Sequence, residues 1–153
     1  MYLDKYLAIR DTIFSNKKNI ITIPNVSYGF FIWGEADILT LTKSKYLIEG
    51  EIKTTLSDLK KDAKKKKWNV WLDRWKKDIK RHWYIIPTEI LERGMEFMRP
   101  DSGIMTYEKT EFEFQIKIIR NATDNKAAEK LSNEKIIKLC RLISFRYWSY
   151  ASN

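Results

Sequence analysis

The chain has 153 residues, 44% hydrophobic and 32% charged, which suits one globular domain spanning 1–153 and excludes a disordered chain. Lysine and arginine number 29 against 20 acids, a net charge of +9, so a polyanionic partner is favoured, either nucleic acid or an anionic membrane surface. Cys140 is the single cysteine, which excludes an internal disulfide, and no segment approaches the roughly 20 apolar residues of a membrane span.

In chain order, Leu3, Tyr6, Leu7, Ile9, Ile13 and Phe14 fall at mostly helical spacing, so an opening helix is expected over 2–15. Asn16-Lys17-Lys18-Asn19 ends it. The N-terminus carries an early acid, Asp4, and no uninterrupted apolar run, unlike a signal peptide, so a cytoplasmic protein is expected. Residues 20–53 read as strands: Ile20 to Ile23, Tyr28 to Trp33, Ala36 to Thr42 and Tyr46 to Lys53. The short breaks at Pro24-Asn25, Gly34-Glu35 and Thr42-Lys43-Ser44 suit hairpins.

Thr55 or Ser57 is a candidate N-cap for a second helix. Its stripe of Leu56, Leu59, Ala63, Trp68, Trp71, Leu72, Trp75 and Ile79 suggests one long helix, or two joined near Asn69, with His82 as a polar helix-end residue. Trp83 to Pro87 reads as a strand, Gly103 to Tyr107 and Glu111 to Ile118 as a hairpin, and Asn133 to Tyr150 as a closing helix. Cys140 is expected in the core of that helix. The order implies an α/β fold with a mixed central sheet flanked by helices.

Chemistry concentrates in two neighbouring strands, Gly34-Glu35-Ala36-Asp37 and Glu49-Gly50-Glu51-Ile52-Lys53. Side chains alternate along a strand, so Glu51 and Lys53 share a face, and an antiparallel neighbour brings Asp37 toward them. Two carboxylates and an ammonium suit phosphodiester hydrolysis. The carboxylates can hold a hard divalent cation, and the lysine can orient water and stabilise developing charge.

Asp37 followed fourteen residues later by Glu51-Ile52-Lys53 resembles the signature of the PD-(D/E)XK nuclease superfamily. The lysine-rich stretch from Ser57, the strand ending in Pro87 and the hairpin starting at Gly103-Ile104 are similar to a branch of small bacterial and phage-borne proteins linked to DNA repair. The resemblance covers roughly 33–120. It implies a restriction-endonuclease-like core, Asp37 and Glu51 with the Ile52 carbonyl as ligands of Mg2+ (Mn2+ as substitute), and Lys53 as the catalytic lysine. A phage-encoded relative would work in the host cytoplasm. Gly34-Glu35-Ala36 stands where the motif's proline would be, and no acid of the first helix, Asp4 or Asp11, sits in a recognisable motif.

Other readings stand beside this one. Glu49, Glu51 and Lys53 could form a solvated strand face with a cross-strand ion pair. Glu35 could support the site or be a surface carboxylate, and Glu49 is read as a supporting acid. Residues 57–82 hold nine Lys and two Arg against four Asp. Lys60, Lys61, Lys64, Lys65, Lys66, Lys67 and His82 are therefore candidates for gripping a DNA backbone. A basic helix is also the design of a membrane-surface segment, but its apolar stripe is the one the sheet needs for its core. Trp68, Trp71 and Trp75 are read as core before base-stacking platform. The functions weighed are a magnesium-dependent deoxyribonuclease, a non-catalytic nucleic-acid-binding or regulatory module of the same fold, and a basic protein bound to an acidic partner. DNA is the expected partner, no membrane is expected, and a homodimer is the default assembly.

Overall fold

The computed structural model describes residues 3, 6–7, 13–31, 34–64 and 77–151. Six strands form one sheet in sequential order. They are β1 (Asn19–Phe31), β2 (Gly34–Thr42), β3 (Leu47–Ile52), β4 (Ile79–Pro87), β5 (Gly103–Lys109) and β6 (Phe114–Arg120). Among the described residues the helices with complete bounds are α1 (Leu56–Ala63), the single turn α2 (Leu91–Gly94) and α3 (Asn133–Ala151). Pairing is antiparallel from β1 to β3, parallel for β3–β4 and β4–β5, and antiparallel again for β5–β6. The α/β class with a mixed central sheet is therefore observed. Among the described residues no helix is long and apolar enough to cross a membrane.

The two strands expected around Pro24-Asn25 are one. Proline is tolerated because β1 lies at the sheet edge, and Asn25 takes a φ of 53°, the left-handed conformation asparagine adopts more readily than most residues. The chain bends there without leaving the sheet, and Pro24 and Val26 both stay in register with β2.

The reading of one unbroken second helix is corrected, while the alternative of two helices joined near Asn69 falls on residues outside the described ones, with 77–78 helical. Thr55 caps α1, its hydroxyl accepting the Asp58 N–H at 3.1 Å, and α1 ends at Ala63. Ile79 and His82, expected on a helix, lie in β4, a central strand covered on both faces along its buried run from His82 to Ile86. A continuous apolar run marks such a strand, but its first residues also fit a helical stripe. Trp68, Trp71, Trp75 and Lys65, Lys66 and Lys67 lie outside the described residues. So does most of the opening helix, Asp4 and Asp11 included; Leu3, Tyr6 and Leu7 are helical, and 13–15 form a bend.

The β5–β6 hairpin starts its return strand later than the alternation suggests. Thr110 and Glu113 exchange backbone and hydroxyl hydrogen bonds, so Glu111-Phe112-Glu113 is spent in the turn. On α3, Leu139 is buried, with Ile136, Leu142 and Ile143 beside it. Cys140 falls one residue off that stripe and is exposed, a second correction.

Three apolar clusters frame the sheet. One joins α3 to Leu39, Leu41, Leu47 and Ile79. A second lies under Leu7 and Phe14 and includes Ile48, Trp83, Ile85 and Met105. The third packs Leu59 of α1 on Tyr84, Ile86 and Ile104. By strand alternation the first and third share one face, and the second covers the other. Gly50 is glycine for this packing: a Cβ there would stand 2.7 Å from Phe14 Cζ and 2.9 Å from Ile85 Cδ1.

Candidate functional site

Between the first and third clusters, on the same face, the sheet turns polar. Glu49 and Glu51 follow Leu47 along β3, and parallel pairing sets them beside His82 and Tyr84 of β4. The β2–β3 pairing ends at Ile38 with Gly50, and the same register carried one step further sets Asp37 opposite Glu51. There the Asp37 carboxylate replaces a backbone partner, its Oδ2 accepting the Ile52 N–H at 2.7 Å.

Lys53 is fixed from both ends. Its backbone N–H donates to the Ile85 carbonyl at 3.0 Å, and its Nζ reaches Glu51 Oε1 at 2.5 Å and Asp62 Oδ1 at 3.5 Å. Glu51 and Lys53 are 5% and 8% exposed, and Asp62 is wholly buried. Burial by itself lowers the Lys53 pKa, but the charges of Glu51, Asp62 and Asp37 outweigh it and hold the ammonium above its ordinary range.

The polar layer extends across β4. His82 shares a 2.8 Å hydrogen bond with Ser102 Oγ and meets the Tyr84 ring edge-on at 4.7 Å. Burial pushes the Tyr84 phenol well up, helped by the negative charges of Asp62, Glu51 and Glu49 and opposed by Arg99.

The structure thus brings Asp37, Glu51, Ile52 and Lys53 together. Glu49 is fully buried on the same face, whereas Glu35 is exposed. Lys60 and Lys61 are exposed on α1 and Lys64 at its C-cap, and the inner face of α1 delivers Asp62 to Lys53. His82 is buried in β4, not placed at a helix end.

Asp62 is the residue that sequence reading missed. The signal was present: it lies three residues after Leu59, on the stripe begun by Leu56, where a carboxylate must find a cation. Tyr84 and Ser102 were hidden in apolar or turn-like surroundings.

Asp37, Glu49, Glu51 and Asp62 bring four carboxylates to the face that holds the Lys53 ammonium. Oxygen donors of this kind fit a hard divalent ion. Among the described residues, no group of three or more His, Cys, Asp or Glu side chains forms a ready-made metal cage.

No family model matches the chain, and no curated protein matches it. The fold is similar to the solved structure of a protein of unknown function from Silicibacter pomeroyi. The TM-score is 0.59 at 18% identity, over 86% of this chain and 79% of that one. At that identity the likeness concerns the fold alone.

Proposed function

We propose that the protein is a magnesium-dependent deoxyribonuclease of the PD-(D/E)XK class, hydrolysing phosphodiester bonds in DNA repair, recombination or phage DNA processing. The observation that carries this reading is the convergence of Asp37, Glu51 and Lys53 where the β2–β3 pairing ends. Asp37, Glu51 and the Ile52 carbonyl would hold the cation, which when bound supplies Lewis acidity and charge neutralisation at the scissile phosphate.

The chain's own groups account for the rest. Lys53, held as an ammonium, is no base at neutral pH; it orients water and stabilises charge on phosphate oxygens. Asp62 holds that ammonium from α1. Lys60 and Lys61 of α1, with Lys64 at its C-cap and Lys65 to Lys67 following in the sequence, would grip the backbone beside the site.

The test is cleavage of plasmid and oligonucleotide DNA with magnesium or manganese against EDTA. Cleavage should vanish in chelator. Asp37→Ala, Glu51→Ala and Lys53→Ala should each lower it by about 100-fold or more while DNA binding persists. Glu49→Gln should cost less than Glu51→Gln. Undiminished cleavage in EDTA, or three fully active variants, would sink the assignment.

One observation favours a second reading, a DNA-binding module of this fold without cleavage. Lys53 Nζ at 2.5 Å already neutralises the Glu51 carboxylate expected to bind metal. Salt-sensitive DNA binding with no turnover in any divalent cation would select that reading.

A further inference from the structure

A second concavity lies at the other end of the β2–β3 hairpin. It is an open pocket of about 540 Å³, floored by Ile48 and Trp83 and rimmed by Lys18, Lys43, Lys80 and Arg81. Ile48 and Trp83 project from the face opposite Glu49 and Glu51. Ile48 is also about 16 Å of strand away from Lys53, at roughly 3.3 Å per residue. The pocket is therefore separate from the candidate site.

Its charges are placed for an anion. Arg81 is hydrogen-bonded to Asp124, and Lys80 lies 3.9 Å from the same carboxylate. Lys80 also donates to the Asn125 carbonyl at 3.1 Å and covers the Tyr46 ring at 5.0 Å. Lys18 and Lys43, by contrast, are exposed and have no acidic partner among the described residues. The two turns that carry them are tied together, the Lys43 N–H donating to the Lys18 carbonyl at 2.8 Å. Two lysines without an acidic partner among the described residues, held at one rim, favour an anion there.

The floor adds a second requirement. Trp83 is 3% exposed, yet its indole Nε1 has no hydrogen-bond partner among the described residues. A buried donor left unmade is costly, and a ligand acceptor reaching the floor would satisfy it. The volume falls in the range of small-molecule sites, about 300–1,000 Å³. An anion at the rim and a flat body with ring acceptors below describe one ligand class.

We propose that this pocket binds a nucleotide unit, with its phosphate between Lys18 and Lys43 and its base against the Ile48–Trp83 floor. A free mononucleotide and the 5′-terminal nucleotide of a strand share that chemistry.

The test is calorimetry on the intact protein in EDTA with thymidine monophosphate, thymidine, inorganic phosphate and a 5′-phosphorylated oligonucleotide. The monophosphate or the phosphorylated strand should bind, and more tightly than thymidine or phosphate. Whichever binds more tightly identifies the source. Replacing both Lys18 and Lys43 with Ala, exposed positions where folding should survive, should weaken binding of thymidine monophosphate about tenfold or more, with the loss shrinking as salt rises. Trp83→Phe, checked for folding by circular dichroism, should also weaken it. Lys53→Ala should leave monophosphate binding unchanged even where it abolishes cleavage. The proposal is overturned if neither nucleotide probe binds, if phosphate matches the monophosphate, or if the double substitution has no effect.

Discussion

At Lys53, two opposing effects act on one ammonium. Desolvation lowers its pKa, and the charges of Glu51, Asp62 and Asp37 raise it further than burial lowers it. A folded pKa above the ordinary 10.5 means that the pairing stabilises the fold fully at pH values below 10.5 and ceases to do so as pH rises through the folded value. Lys53→Met should therefore cost about 3–5 kcal/mol at pH 7, because Glu51 and Asp62 are left buried without their cation. The deficit should shrink as pH rises from 10.5 through the folded Lys53 value, where the wild-type ammonium is itself lost; denaturant unfolding at pH 7 and at such a pH would measure it. An equal deficit at both values would mean that poorer packing, not stranded charge, dominates. Gly103 poses a purely steric case. A Cβ there would stand 2.3 Å from Trp83 Cε3, and Trp83 is buried with little room to move. Gly103→Ala should destabilise by about 1–3 kcal/mol, read in the same denaturant titration. The convergence of Asp37, Glu51 and Lys53 was legible because alternation and spacing depend only on local sequence. Asp62 was not, because its partner lies on another element and its charge merged into a lysine-rich segment.

Among the elements, those with a clean period were read well. The hairpin strands β2 and β3 and helix α3 follow alternation or helical spacing closely, and their observed bounds differ from expectation by two residues at most. The failures have physical causes. Pro24-Asn25 signals a turn in isolation, but an edge strand can absorb both residues. The short turns over 88–97 have no period long enough to detect; tertiary packing of Leu91 and Phe97 against the Leu59 cluster holds them. The one-helix reading runs past the end of α1 at Ala63 because apolar residues continue beyond it at compatible spacing; residues 65–76, where a second helix was the alternative, lie outside the described residues. Its true length matters for function, since eight residues carry both a buried face with Asp62 and an exposed face with Lys60 and Lys61, and Lys64 follows at its C-cap, also exposed. Replacing those three lysines with Ala should weaken DNA binding on all sequences alike and lower the salt slope by about 0.9 for each phosphate they no longer neutralise. Lys60 also covers the Phe97 ring at 4.9 Å, so a small drop in stability is expected when that ammonium is removed. Fluorescence anisotropy over a salt series would show the change in slope, and an unchanged slope would remove α1 from the DNA-binding surface.

For the whole molecule, charge is distributed against its own average. The chain carries +9, yet one face of the sheet gathers Asp37, Glu49, Glu51 and Asp62 with Lys53. A basic surface attracts a polyanion, while this acidic layer repels the same phosphates unless a cation lies between them. In the proposed function, divalent ions should therefore act on the protein even without DNA. Binding to the folded state alone stabilises by about 2.7 kcal/mol at a ligand concentration one hundred times Kd, a rise in Tm of roughly 5–11 °C for a chain of this size. Magnesium, manganese and calcium should each raise Tm, and the rise should disappear in Asp37→Ala/Glu51→Ala. Calcium accepts looser geometry than magnesium. It should tighten DNA binding without supporting cleavage, which separates holding the phosphate from hydrolysing it. Differential scanning calorimetry in EDTA, then in each cation, reads the first effect, and anisotropy with uncleaved DNA reads the second. If no cation shifts Tm, or the double variant shifts as far as the wild type, the acidic layer does not hold a divalent ion.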